Sequence, residues 1–264
     1  MFVAEQEWEN LTVEIRGSML WVTINRPEKR NALSRQTLSE IEKIFAGIGA
    51  DSGSKIVVLT GAGDRSFAAG GDLSDLAAVR TLDEARTMAV DAKRALEAVR
   101  RCPLPVVALL NGDALGGGAE LAAACDFRVG TANARIGFIQ GRLNISTAWG
   151  GGVDLAAIVG PTAALRLLAS ARILDGPTSK NLGLLEEVAD NGESGADVVA
   201  RFIKDMLSQT PQVLSTFKRL VAACKAGEAR PALLEMETEL FARNWIHDDH
   251  WAAADTILTK KRKA

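Results

Sequence analysis

The apolar positions of the chain keep one rhythm for about two thirds of its length and then change to another. LTVEI (11–15) and LWVTINR (20–26) read as short strands, and after them comes Ser34, a residue type suited to cap a helix. Behind it Leu38, Ile41, Phe45 and Ile48 fall on one helical stripe. KIVVLTG (55–61) and PVVALLNG (105–112) are continuous apolar runs, the form expected of strands covered on both faces. A longer helix fits 82–101 between them, and DFRVGT (126–131) reads as one more strand. Strands and helices alternate in this way to about residue 190, which is an α/β pattern. From about 196 the chain reads as helix only. Pro211 occupies a first-turn position behind Thr210, with Val213, Leu214, Phe217, Leu220 and Val221 on one side. Leu233, Leu234, Leu240, Phe241 and Trp245 supply a second apolar face. The expected division is an α/β core over 1–195 and a helical region over 196–264. Such helices either join copies of the chain or fold back on their own core, and the pattern leaves both open.

Composition narrows this picture without changing it. At 264 residues and 47% apolar, the chain can bury a full core. A net charge of −2 with both signs interspersed argues against a dedicated nucleic-acid binder, and the basic end KKRKA reads as a solvated tail. Cys102, Cys125 and Cys224 are far apart and odd in number, so they read as buried reduced thiols of a cytoplasmic protein. MFVAEQEWEN carries acids where a signal peptide needs bases, and no apolar run reaches membrane-spanning length. His247 and His250 are the two histidines of the chain and read as a polar helix end; no metal or redox cofactor is expected.

Two glycine-bearing turns carry the candidate chemistry: SFAAGGDL (66–73) and NGDALGGGAEL (111–121). Each follows an apolar strand and runs into a helical pattern. Glycine disfavours helix by roughly 1 kcal/mol relative to alanine, so three in succession at a helix start serve something other than propensity. Glycine admits a ligand close to the backbone, and a helix start offers unpaired N–H groups and a positive dipole end. Two such turns in one sheet can aim two amides at a single point, the geometry of an oxyanion hole. Glu120 stands one turn into the second helix, placed to move a proton.

INRPEKRNALS (24–34), GAGDRSFAAGGDL (61–73) and NGDALGGGAELAAACDFRV (111–129), in that order and spacing, resemble the enoyl-CoA hydratase/isomerase family, the crotonase superfamily. The resemblance covers essentially the whole chain. It implies a spiral of ββα repeats, a C-terminal helical region that makes trimers or hexamers, and an acyl-CoA thioester as substrate, with CoA part of that substrate. It further implies that the amides of Ala69 and Gly117 hold the thioester oxygen and that Glu120 is the first of two catalytic glutamates. Lys29, Arg30 and Ala32 would border the CoA, as would Ala69, Gly70, Gly71 and Asp72. Gly116 and Trp149 would lie against the acyl group, although Asp72 also reads as a helix cap and Trp149 as core.

The chain departs from the family at the second glutamate. Aligning Gly137 and the pair Gly150–Gly151 puts Gln140 there. An amide orients a group but exchanges no proton near neutral pH. Hydration needs two carboxylates around a water, and losing one costs roughly 10²–10⁴ in rate. Asp113 is the one acid close enough in sequence to be considered as a substitute. Decarboxylation of a short malonyl-type acyl-CoA fits the remaining groups better. It makes the enolate without abstraction of a carbon-bound proton, with Gln140 holding the carboxylate and Glu120 protonating the product. Phe138, Ile139, Ile145 and Trp149 would supply apolar walls; Arg142 reads as a solvent-facing loop arginine, with a grip on an acidic acyl tail as the alternative. GGGAELAAACDFR, AWGGG and LFARNW also resemble the ethylmalonyl-/methylmalonyl-CoA decarboxylase branch. Enoyl-CoA hydratase or isomerase activity is the alternative, and a non-catalytic, partner-binding member of the family is the reading from another class.

Overall fold

A computed structural model of the chain describes residues 3–50 and 52–263, with side chains described as far as 259. A hairpin of β1 (Leu11–Arg16) and β2 (Met19–Ile24) leads into α1 (Arg35–Ala46). The next turn holds β3 (Ile56–Gly61), β4 (Ser66–Ala68), α2 (Leu73–Leu76) and α3 (Leu82–Arg101). It is followed by β5 (Val106–Leu110), β6 (Asp113–Leu115) and α4 (Gly117–Ala124). A third turn has β7 (Phe127–Gly130), β8 (Arg135–Gly137), a single 3₁₀ turn over Gln140–Leu143, α5 (Gly151–Val159) and α6 (Pro161–Ser170). β9 (Leu174–Asp175), α7 (Gly176–Asn181) and β10 (Glu187–Val188) complete the sheets. Four helices end the chain: α8 (Gly195–Ile203), α9 (Pro211–Lys225), α10 (Arg230–Trp245) and α11 (Asp248–Lys263).

Each middle turn lays one strand in a six-stranded sheet, ordered β1-β2-β3-β5-β7-β10, and the next in a four-stranded sheet, ordered β4-β6-β8-β9. The result is the spiral of ββα repeats implied by the motifs. The apolar runs read as doubly buried are so. In β3, Val57 and Leu59 face one apolar cluster while Ile56 and Val58 face the other; β5 splits in the same way between Val106 and Val107. α1 starts as expected, with the Ser34 hydroxyl accepting from Thr37 N at 3.2 Å, and it buries Leu38, Ile41 and Phe45 against the main core.

The end of the chain divides differently from the expectation in one respect. α8 packs on β5, β7 and β10 and buries Val198, Val199 and Ile203, so it belongs to the core sheet. α9 is pinned by Lys218, whose Nζ donates to Leu104 O at 3.0 Å and lies 2.7 Å from Asp126 Oδ2. Of the apolar residues on α9 and α10 named above, Leu214 and Leu240 are buried, whereas Phe217 and Phe241 are 59% and 58% exposed. Burial holds the Cys102 thiol up at about 11 and the Cys125 thiol up at about 12. Cys224 corrects the expectation of three buried thiols, because it faces outward from α9. The His250 ring rests 4.5 Å from that of Trp245, and His247 Nδ1 accepts from Asp249 N. The side chains of the basic tail lie outside the described residues. Among those residues no helix is long and apolar enough to cross a membrane.

Candidate active site

β6 delivers the chain to the triple glycine, and each glycine answers a different constraint. Gly116 takes φ 53° and ψ −117°, a turn unfavourable to side chains, and its N–H donates to Gly137 O at 2.9 Å. A Cβ on Gly117 would lie 2.3 Å from the Trp149 ring, and one on Gly118 would lie 2.0 Å from Ala68 O. The absence of side chains therefore lets α4 start hard against the end of β4 and against Trp149.

One turn in, Glu120 is 2% exposed. Its Oε1 accepts from Gln140 Nε2 at 2.8 Å, and its Oε2 accepts from Trp149 N and Gly151 N, both at 2.9 Å. Burial raises its pKa above the ordinary carboxylate range; the amides of Gly151 and Trp149, the Gln140 side chain and the Ala148 amide pull the other way. The structure thus places the two sequence-predicted groups, Glu120 and Gln140, in direct contact. Gln140 opens the 3₁₀ turn, is 9% exposed, and its Oε1 has no hydrogen-bond partner.

The other glycine turn corrects one assignment. Ala69 N donates to Arg30 O at 3.1 Å, so that amide is not free to hold a substrate oxygen. Leu33 N donates to Gly70 O and Asp72 N to Leu33 O, a parallel bridge between Leu33 and Gly71. In such a bridge the N–H of Gly71 points away from Leu33. Among the described residues neither Gly71 N nor Gly117 N has an acceptor. Both glycines border the Trp149 ring, and a Cβ on Gly70 would come within 3.7 Å of Gly117 N. The paired free amides are therefore those of Gly71 and Gly117. The signal that would have distinguished Gly71 from Ala69 is the pairing with Leu33, which no local pattern reveals.

Asp72 caps α2, its Oδ1 accepting from Ser74 N and Asp75 N, while its Oδ2 takes Arg26 Nη2 at 2.9 Å and lies 3.8 Å from Lys29 Nζ. The Arg26 hydrogen bond holds its carboxyl below the usual range. Arg26, not singled out in the sequence, also donates to Ala32 O and so ties 26–33 to the glycine turn. Lys29 and Arg30 present half-exposed side chains on that same edge. Asp113, considered above as a substitute acid, is engaged by arginines. Arg135 grips it with Nε at 2.7 Å and Nη2 at 2.8 Å, and Arg30 Nη2 adds a third contact at 2.9 Å. Arg142 is committed to Ala171 O through Nε and Nη2, so it grips its own chain and no acyl tail. Phe138 and Trp149 are buried as walls, but Ile145 is 58% exposed and is not one. Beyond Trp149 a cavity of about 180 Å³ opens between α1 and α3, with Leu38, Leu76, Met88 and Ala92 among its lining residues. Gly151, missed as a site residue, is required: a Cβ there would overlap Glu120 Cγ at 2.3 Å.

The fold and site together define an α/β spiral in which two unpaired amides converge beside a buried, pKa-raised carboxyl. Comparison with known proteins gives the family. The enoyl-CoA hydratase/isomerase family model matches residues 14–263. The short-chain-enoyl-CoA hydratase of Clostridium acetobutylicum is 30% identical over 256 residues, 97% of each chain. The ethylmalonyl-CoA decarboxylase of Bos taurus is 30% identical over 227 residues, covering 85% of this chain and 73% of that one. The crystal structure of an enoyl-CoA hydratase from Bacillus anthracis superposes with a TM-score of 0.88 at 27% identity, covering 96% of this chain and 97% of the other. The chain belongs to the enoyl-CoA hydratase/isomerase family, the crotonase superfamily of acyl-CoA enzymes.

Proposed function

We propose that the protein decarboxylates a short malonyl-type acyl-CoA through a thioester enolate. The observation that carries this reading is the group in contact with Glu120: an amide, Gln140, at 2.8 Å. The nearby alternative acid, Asp113, is held by two arginines. One proton-transferring carboxyl is therefore available where hydration calls for two. In the proposed reaction the bond from the α-carbon to the carboxylate breaks and CO₂ leaves. The bonding electrons pass to the thioester oxygen, which the Gly71 and Gly117 amides receive. Glu120, in its acid form, then gives its proton to the α-carbon and recovers one from water. Lys29 and Arg30 would lie along the CoA phosphates, and Phe138 and Trp149 would keep water from the departing carboxylate.

A second reading, enoyl-CoA hydratase, is favoured by the Clostridium relative, whose similarity runs over nearly the full length of both chains. Mass spectrometry of ethylmalonyl-CoA and crotonyl-CoA incubated with the protein separates the two. Loss of CO₂ from the first with the second unchanged is the expected result; addition of water to crotonyl-CoA at an ordinary enzymatic rate would replace this reading with the second. We further infer that the exposed apolar faces of α9 and α10 close against copies of the chain, giving a trimer or hexamer. Light scattering tests it, and a monomer at micromolar concentration would refute it.

A further inference from the structure

The Gln140 side chain has one end satisfied and one end not. Its Nε2 donates to Glu120 Oε1, while its Oε1 is enclosed and unpartnered. A buried amide oxygen without a donor is unfavourable, and here the imbalance follows from the state of Glu120. An ionised carboxylate is an acceptor only, so it compels the amide to turn its nitrogen inward. The backbone amides of Trp149 and Gly151 both donate to Oε2, and, as backbone groups, neither they nor the Ala148 amide nearby can turn. Oε1 is therefore the oxygen on which a proton meets an adjustable partner. A proton there would donate to the amide oxygen, and the amide would have to rotate by half a turn. Its NH₂ group would then be the unsatisfied end.

The geometry points to Gln140 as a positioning residue whose orientation follows the proton on Glu120, so that the site takes a donor ligand in one state and a carboxylate in the other. With Glu120 ionised, the unpaired oxygen of Gln140 suits a water or hydroxyl; with Glu120 protonated, the unpaired NH₂ suits a substrate carboxylate. Binding a malonyl-type carboxylate is thus coupled to uptake of one proton, and the proton taken up is the one that the enolate later needs. This rests on the acyl-CoA reading above and adds to it a rule for which acyl groups enter and when.

Apart from exposed residues such as Lys93 of α3, the ionisable groups on the elements packed against α4 are engaged elsewhere. Arg100 of α3 pairs with Asp154 of α5, Asp113 of β6 with Arg30 and Arg135, and Arg128 of β7 with Glu186; β4 has no ionisable side chain. The raised pKa of Glu120, caused first by burial, brings its protonated state toward neutral pH.

The test uses two inert CoA thioethers of the same length, one ending in a carboxylate and one in a primary alcohol. Calorimetry in two buffers of different ionisation enthalpy counts the protons taken up as each binds to the wild-type protein. The expected result is uptake approaching one proton for the carboxylate compound, with affinity falling about tenfold per pH unit above the Glu120 pKa, and no uptake for the alcohol. In Gln140→Met the carboxylate compound should lose about tenfold in affinity at the acid end of the range. The alcohol should lose a comparable factor at the alkaline end, because one amide serves both. Equal proton counts for the two compounds, or unchanged affinities in Gln140→Met, would overturn the coupling while leaving the acyl-CoA reading intact. Failure of the wild-type protein to bind either compound would overturn both.

Discussion

Glu120 and Asp113 stand seven residues apart, one on α4 and the other on the strand that feeds it, and both are almost fully buried. Their surroundings are opposite. Asp113 meets two guanidinium groups in three contacts, whereas Glu120 meets only backbone amides and a carboxamide. A carboxylate compensated by opposite charge serves as a clamp, here between β6, β8 and the segment around Arg30. A carboxylate compensated only by neutral dipoles is left nearer the balance between its two protonation states. Burial is common to the two carboxyls; what separates them is the counter-charge, present at Asp113 and absent at Glu120.

The largest effect should come from making Glu120 non-ionisable. Glu120→Gln should lower kcat by roughly 10²–10⁴ with the fold retained, as measured by steady-state kinetics beside circular dichroism. Asp113→Asn is the matching change, and its kcat should stay within a few-fold of wild type; a loss as great as that of Glu120→Gln would abolish the distinction. Next in size is Gly117→Ala. Its Cβ would strike the Trp149 ring and shift one of the two free amides, so turnover should fall by about 10²–10³.

The pH profile should follow the protonated form of Glu120. Because burial raises its pKa, the acid form persists above the range of an ordinary carboxyl and is lost as pH rises through the folded value. Turnover that needs this proton should fall across that transition. A rise across it would contradict the role of Glu120 as proton donor. Linkage gives the same sign for stability: the folded state holds the proton more tightly than the unfolded chain, so stability falls as pH rises from about 4.5 through the raised value. Asp72 works in reverse, since the Arg26 hydrogen bond lowers its pKa; its contribution is present above about 3.8 and disappears as pH falls through the lowered value.

The smallest effects belong to the clamps themselves. Asp113→Asn should lose about 1–3 kcal/mol of unfolding free energy, read from urea denaturation, since the charged hydrogen bonds of both arginines go with it. Asp72→Ala should lose about 0.5–2 kcal/mol through the missing cap of α2. If Asp113→Asn proved neutral in stability, the clamp half of the comparison would fail.

The chain spells out its long elements and conceals its short ones. Doubly buried β3 and β5 and the stripe of α1 are legible because their periods run for five residues or more. β4, β6 and β8 have three residues each and no readable period, so the second sheet is set by pairing between distant segments. The site divides along the same line. Glu120 and Gln140 follow from motif spacing and do meet. Gly71 as the free amide depends on the bridge to Leu33, and the neutralisation of Asp113 on arginines at 30 and 135; both are long-range facts. Gly151 was visible as a glycine, but the need for it arises from Glu120, thirty-one residues away.

On the proposed reading, a single carboxyl without a counter-charge, set beside an amide, makes this a decarboxylating site. The most direct measurement compares wild type with Gln140→Glu on ethylmalonyl-CoA and crotonyl-CoA, following CO₂ loss and water addition by mass spectrometry. The wild type should release CO₂ and leave crotonyl-CoA alone, and Gln140→Glu should lose decarboxylation while gaining hydration. A wild type that hydrates crotonyl-CoA at an ordinary enzymatic rate, with no change of reaction in Gln140→Glu, would contradict it.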